Sequence, residues 1–136
     1  MYVCSIGNGC VYTRTITHEL LHALGLFHEH QRSDRDNYVE IHRENVRLDD
    51  NKFRINFDKC TGCEDFGLPY NIESVMHYKP HAFARSNSKS ITALDSTKES
   101  RMGTSTGLGM YDKELLRRMY KCNHVSSIVL TVCQLS

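Results

Sequence analysis

The chain has 136 residues, enough for one domain with a moderate hydrophobic core. Hydrophobic residues make up 40% of it and charged residues 24%, which is ordinary globular composition. The net charge of +1, without runs of like charge, argues against a nucleic-acid partner, and the apolar run 128–133 is too short to cross a membrane. We therefore expect a globular domain with neither nucleic-acid nor membrane partners.

The hydrophobic pattern predicts an α+β fold with little sheet and long irregular loops. Apolar positions three to five residues apart support the first helix, and Gly25 ends it. The later segments are read from their periodicity and their turn residues. In chain order we expect a helix over 10–24, a strand over 38–41, one or two helical turns within 45–57, a loop over 58–69, a strand over 90–94, a loop over 100–109 and a helix over 111–120.

A histidine pattern lies within and just after the first predicted helix. His18 and His22 are four residues apart, so their rings lie on one face of the helix and can bind one ion. Gly25 allows a sharp turn that brings back His28 as a third ligand. Three imidazoles leave the fourth zinc position open for water, as in catalytic zinc sites. Glu19 is the neighbour that can accept the proton of that water.

The stretch from His18 to His28 is the metzincin form of this motif, which requires a methionine-containing turn downstream. The sequence Ser74-Val75-Met76-His77-Tyr78 supplies that turn. With these motifs in order, the chain from about Gly7 to Cys122 closely resembles the astacin family of zinc endopeptidases. The resemblance implies one zinc ion on the three histidines, a protein or peptide substrate and an extracellular location.

The resemblance also implies roles for single residues. Tyr78 resembles a tyrosine that can ligate zinc and swing away to hydrogen-bond the tetrahedral intermediate, although a packed tyrosine of the turn is the alternative. Met76 is expected to form an apolar floor under the histidines, and Glu29 resembles the acid that pairs with the N-terminus freed by propeptide removal. We expect ion pairs that anchor a loop from Asp34, Arg35 and Asp36, and surface or packing roles for His30, His42, His77, His81 and His124.

Six cysteines favour an oxidising compartment, yet the sequence contains no signal peptide. A chain that lacks its beginning would explain both observations. The Cys60-x-x-Cys63 pair favours a small loop disulfide over a redox or second zinc site, because no matching cysteine pair follows it. Cys10 and Cys122 resemble framework cysteines of the family, and Cys4 could be an alternative partner for Cys10.

The resemblance divides the chain into a partial peptidase domain over 1–123 and a non-family tail over 124–136. Astacin domains begin with a sizeable N-terminal half built around a sheet, whereas few residues precede the first helix here. We therefore expect the chain alone to be a poor enzyme of low stability. Without that half, the apolar side chains Ile16, Leu20 and Leu24 would stay uncovered.

The main interpretation is a zinc metalloendopeptidase, and the alternative is a catalytically impaired zinc-binding fragment of such an enzyme. The segment 102–107 resembles the one that shapes the first pocket on the leaving-group side, but it contains no arginine that would indicate acidic substrates. The cleavage preference therefore stays open. The last four residues, 133–136, match the loose form of a prenylation motif, so a lipid-anchored intracellular protein is a third interpretation that depends on them alone.

Overall fold

The computed structural model describes residues 12–47 and 55–122. These ranges contain two α-helices, α1 (Thr13–Ala23) and α2 (Met110–Met119). The strands β1 (Val39–Ile41) and β2 (Ile91–Ala93) form a two-stranded antiparallel sheet in which Glu40 lies opposite Thr92. The prediction of an α+β fold with little sheet agrees with this arrangement. Neither α1 nor α2 is long and apolar enough to span a membrane.

Residues 12–47 and 55–122 include four short 3₁₀-helices that the sequence pattern does not predict, because turns of this length leave no periodic apolar signal. One of them extends into the loop predicted to begin at residue 100, and the carboxylate of Asp95 caps it by accepting the backbone N–H of Thr97 at 3.1 Å. The helical turns predicted within 45–57 fall partly on residues 48–54, outside the described ranges. The 3₁₀-helices are Glu29–Gln31, Arg35–Asn37, Arg43–Asn45 and Ser96–Arg101.

The described residues form two apolar clusters. One cluster includes both strands of the sheet and consists of Val39, Val46, Phe57, Ile91 and Met102. The other combines α1 with the methionine turn and consists of Leu21, Leu26, Val75 and Met76, against which Leu115, Leu116 and Met119 pack. Because Leu21 and Leu26 alternate with the histidines along the chain, the second cluster supports the histidine motif directly.

The side of α1 turned away from this cluster carries exposed apolar side chains. Leu20 is 49% exposed and Leu24 42%, and Phe27, just after the helix, is 59% exposed. The hydroxyl group of Tyr120 crosses to the same region and donates to the carbonyl of Leu24 at 2.9 Å. The expectation that α1 has uncovered apolar residues is confirmed for Leu20 and Leu24, whereas Ile16 is half-buried. Low stability of the chain alone stays a prediction.

Truncation of Ile91 tests how much the small sheet contributes to stability. Ile91 is fully buried in β2, so Ile91→Ala is expected to lower the free energy of unfolding by about 2–5 kcal/mol through lost burial and a cavity. Leu94 follows the strand and is 57% exposed, and Leu94→Ala should change that free energy by less than about 0.5 kcal/mol. Urea unfolding measures both variants, and equal losses would contradict the assignment of Ile91 to the core.

Candidate metal centre

The end of α1 is formed by a glycine turn that returns the chain toward the helix. Gly25 has φ of +90°, a conformation that other L-residues rarely adopt. The N–H of Gly25 donates to the carbonyl of His22 and the N–H of Leu26 to that of Leu21, both at 2.9 Å. This is the Schellman pattern, and the contact between Leu21 and Leu26 completes it. The turn therefore positions His28 beside α1, as the sequence predicts.

The three histidines of the motif meet through their Nε2 atoms. The Nε2 atom of His22 lies 3.1 Å from that of His18 and 3.2 Å from that of His28, and the third side of the triangle is also 3.2 Å. Among the described residues, this is the one group of three or more His, Cys, Asp or Glu side chains arranged to hold a metal ion.

The second nitrogen of each ring has an acceptor, which fixes the tautomer. The Nδ1–H of His18 donates to the carbonyl of Val75 at 2.9 Å, and that of His22 donates to the carbonyl of Leu26 at 2.8 Å. The Nδ1–H of His28 donates to the side-chain oxygen of Gln31 at 3.3 Å. Because these oxygens only accept, each Nδ1 carries the hydrogen, and in the neutral ring the Nε2 atom then carries the lone pair.

Three lone pairs that converge at this distance cannot hydrogen-bond one another, and a cation between them removes their repulsion. Zinc–nitrogen bonds of about 2.0–2.1 Å at tetrahedral angles separate two nitrogens by about 3.3–3.4 Å. The observed sides of 3.1–3.2 Å are close to that value, so the donor set fits zinc.

The electrostatic environment keeps the imidazoles in the form that binds metal. Burial lowers the pKa of His18, although the hydrogen bond to Val75 opposes this effect. Burial, with further contributions from His22 and His18, lowers the pKa of His28 to about 3. Both rings are therefore neutral at neutral pH, as a metal ligand must be.

Glu19 and Tyr78 lie beside the histidines. Glu19 is exposed and follows His18 on α1. The ring of Tyr78 has its centroid 4.5 Å from that of His28 and stacks on the buried ring of His30 at 4.1 Å. Burial, and then the Glu19 carboxylate, raise the pKa of the Tyr78 phenol, so it stays protonated at neutral pH. A protonated phenol can donate a hydrogen bond beside the metal centre.

The methionine turn is held by α2 and by the segment after His28. The Ser74 hydroxyl donates to the carboxylate of Asp112 in α2 at 2.7 Å and accepts the N–H of Met76 at 3.0 Å. The carbonyl of Met76 accepts the N–H of Glu29 at 3.1 Å. Ser74 and Asp112 support the site but are not predicted from the sequence. Asp112 occupies the third position of α2 and also accepts the N–H of Gly109, so the capping pattern could have revealed it.

Glu29 lies on the wall of a cavity of about 250 Å³ that extends beside His28. One carboxylate oxygen of Glu29 accepts the N–H of Asn71 at 2.7 Å and a guanidinium N–H of Arg32 at 3.3 Å. Burial nevertheless raises the pKa of this carboxyl group to about 7. A buried acid with only one oxygen hydrogen-bonded in the described residues is suited to receive a further donor. The pairing with a freed N-terminus stays a prediction.

The segment after the third histidine is anchored by ion pairs, as expected. Arg32 contacts Asp34 at 2.9 Å and Asp65 at 3.4 Å. Asp36 contacts Arg35 at 3.0 Å and Lys59 at 2.7 Å. These contacts fix the predicted loop over 58–69 to the metal-binding segment.

The remaining histidines take packing or surface positions in the described residues. The Nε2–H of His30 donates to the carbonyl of Asn56 at 3.0 Å, so this buried ring points away from the triangle. His77 is also buried, and its ring bonds the Tyr70 hydroxyl at 2.7 Å. His42 is half-buried and His81 is exposed, whereas position 124 lies outside the described ranges.

The cysteine predictions are confirmed in part. Cys60 and Cys63 form a disulfide, as expected for a small loop. Cys122 is also disulfide-bonded. Cys4, Cys10 and Cys133 lie outside the described residues, so the expected pairing of Cys10 stays a prediction.

A further connection, which the sequence does not predict, joins α1 to the segment 102–107. A guanidinium N–H of Arg14 donates to the carbonyl of Gly103 at 3.1 Å and to that of Val75 at 3.5 Å. Gly103 has φ of +61°, and a Cβ atom there would lie 2.6 Å from the carbonyl oxygen of His77. The segment therefore runs directly against the backbone of His77 and Tyr78.

Comparisons with known proteins agree with this geometry. A model of the astacin peptidase family matches residues 2–121. The astacin-like metalloendopeptidase of Gallus gallus is 40% identical over 121 residues, which are 89% of this chain and 29% of that protein. The low choriolytic enzyme of Oryzias latipes is 40% identical over 114 residues, which are 84% of this chain and 40% of that protein. Among solved structures, high choriolytic enzyme 1, a hatching enzyme zinc-protease from Oryzias latipes, matches with a TM-score of 0.79 and 36% identity over 88% of this chain and 58% of that chain. The chain thus spans less than half the length of these two curated relatives.

Proposed function

Since the chain belongs to the astacin family of peptidases, we propose that it is a zinc-dependent metalloendopeptidase that cleaves protein or peptide substrates. The observation that supports this best is the triangle of Nε2 atoms, in which three imidazole rings converge within 3.2 Å of one another. The ligands are His18, His22 and His28. No feature of the described residues favours a catalytically impaired fragment over an enzyme.

The ion would supply Lewis acidity and would lower the pKa of a bound water to about 7. Glu19 accepts the proton of the attacking water and then transfers it to the leaving amine, because its exposed carboxylate is near enough to act electrostatically on both His18 and Tyr78. Tyr78 donates a hydrogen bond from its protonated phenol to the oxygen that becomes negative as the carbonyl is attacked. These roles divide the proton transfer and the charge stabilisation between two side chains.

Metal analysis combined with a peptidase assay tests this function. Purified protein is expected to contain one zinc ion per chain and to lose peptide cleavage when a chelator removes the ion. Restored zinc should restore cleavage. Protein without zinc after purification and dialysis against zinc, or cleavage that persists in excess chelator, would contradict the proposal.

Tyr78→Phe tests the role of the phenol. The substitution keeps the ring that packs on His28 and His30 but removes the hydrogen-bond donor. We expect kcat to fall on the order of 10²-fold with KM little changed, because the oxyanion exists only in the transition state. Steady-state kinetics on one peptide measure both constants. A raised KM with normal kcat would show that Tyr78 positions the substrate instead.

An extracellular location is part of the proposal. The disulfide between Cys60 and Cys63 is the supporting observation, because disulfides persist in oxidising compartments and are rare in the cytosol.

A further inference from the structure

The three ligand histidines differ in what holds their Nδ1 atoms. His18 and His22 donate to the main-chain carbonyls of Val75 and Leu26, which the fold itself positions. His28, which lies on the turn after α1, donates to the side chain of Gln31 at 3.3 Å. The orientation of the third ligand, His28, therefore depends on a side-chain amide, whereas main-chain carbonyls orient the other two ligands.

The main chain of Gln31 is fixed by two hydrogen bonds. Its N–H donates to the carbonyl of His28 at 2.9 Å, which closes the 3₁₀ turn Glu29–Gln31. Its carbonyl accepts the N–H of Cys60 at 2.7 Å. The donor of the second bond thus belongs to the disulfide loop.

The loop is constrained locally by its own bond. The disulfide from Cys60 to Cys63 spans three residues in sequence, and Gly62 allows the loop to close with φ of +85°. Elsewhere the loop is held to the same segment by Arg32, which donates to the carbonyl of Leu68 at 3.0 Å. The disulfide constrains Cys60 itself, and the ion pair of the neighbouring Lys59 with Asp36 holds the loop beside it.

We propose that Gln31 is a positioning residue for the zinc ligand His28 and that the Cys60–Cys63 disulfide holds Gln31 in place. This inference rests on the proposed zinc site. An acceptor on the far nitrogen of a metal-bound histidine fixes the ring and raises its basicity, and loss of such an acceptor typically weakens metal affinity about 10–100-fold. The disulfide acts on the ligand indirectly, because it constrains Cys60, whose N–H donates to the carbonyl of Gln31.

Two substitutions at Gln31 distinguish the effect of the hydrogen-bond acceptor from the effect of the shape of the side chain. Gln31→Met keeps the length of the side chain but removes the acceptor, and zinc affinity is expected to fall about 10–100-fold. Gln31→Glu keeps the acceptor and adds negative charge, so affinity should stay at or above that of the wild type. Competition with a chromophoric zinc chelator measures the dissociation constant of the full chain without any peptidase assay.

A double-mutant cycle tests whether the disulfide affects zinc affinity through Gln31. The double substitution Cys60→Ser with Cys63→Ser opens the loop without adding thiols that could bind zinc, and should weaken zinc binding by up to about tenfold. In the Gln31→Met background, the same two substitutions should cause no further loss, because the step through which they act is already absent. Circular dichroism of each zinc-free variant checks that the loop substitutions leave the fold intact.

Three results would overturn the inference. Wild-type zinc affinity in Gln31→Met would remove Gln31 from the site, and equal losses in Gln31→Met and Gln31→Glu would show that shape rather than the acceptor matters. Additive losses in the cycle would show that the disulfide acts independently of Gln31. A separate measurement of His22→Ala distinguishes these failures from failure of the proposed function, because unchanged zinc affinity there would mean that the zinc site itself is wrong.

Discussion

His22→Ala is expected to weaken zinc binding by more than about 100-fold, which is the upper end of the range for residues that only support a ligand. His22 lies within 3.2 Å of both other ligand nitrogens, so its loss leaves two imidazoles that cannot complete a tetrahedral site. The zinc dissociation constant, measured by chelator competition, reports the effect directly.

The matched control for this variant is His81→Ala. His81 is exposed, hydrogen-bonds the carbonyl of Ser88 at 2.8 Å and does not belong to the ligand triangle. Zinc affinity should be unchanged in this control. Similar zinc affinities in the two variants would show that the triangle does not hold the ion.

Glu19→Gln is expected to keep zinc and to lose about 10²–10⁴-fold in kcat, the range for a general acid–base residue. The amide has nearly the same size as the carboxylate but cannot accept a proton. Because Glu19 is exposed, the substitution should leave stability almost unchanged. Steady-state peptide cleavage, together with metal analysis of the same sample, separates lost chemistry from lost zinc.

Glu40→Gln provides the comparison for Glu19→Gln. Glu40 is an exposed acid in β1, and its replacement by Gln changes the net charge by the same amount. The Glu40→Gln variant should cleave peptide at the wild-type rate. Near-normal turnover in Glu19→Gln would exclude Glu19 as the base.

The parts of the site that the sequence predicts are those that depend on local geometry. The spacing of His18 and His22 follows from the helix repeat, and the return of His28 follows from the positive φ of Gly25. Both helices and both strands are likewise predicted, because each carries its own periodic pattern. Local rules were sufficient for these features.

The supports of the site are not predicted because they join distant parts of the chain. The carbonyl of Val75 accepts from a ring that is 57 residues away, and Ser74 bonds an aspartate that is 38 residues away. The capping position of Asp112 marks that residue, but a pattern in one sequence contains no signal for which distant residue it contacts. Gln31 is only three residues from His28, but its role depends on a side-chain rotamer that the sequence does not specify.

The close approach of Gly103 to the methionine turn has a consequence for mutagenesis of the segment 102–107, which the family resemblance predicts to shape a substrate pocket. Gly103 has a positive φ, and a Cβ atom at this position would lie 2.6 Å from the carbonyl oxygen of His77. There is no room for another residue, so a mutant library should keep Gly103 constant. Thr104 and Thr106 on the same segment are exposed, and the Thr104 hydroxyl donates to the carbonyl of Arg101 at 2.8 Å, so Thr106 is the position to vary first and Ser is the conservative choice at Thr104. Because the glycine holds the segment against the backbone of Tyr78, new side chains at these two positions would be presented from a rigid base, and selection could act on their chemistry rather than on loop motion.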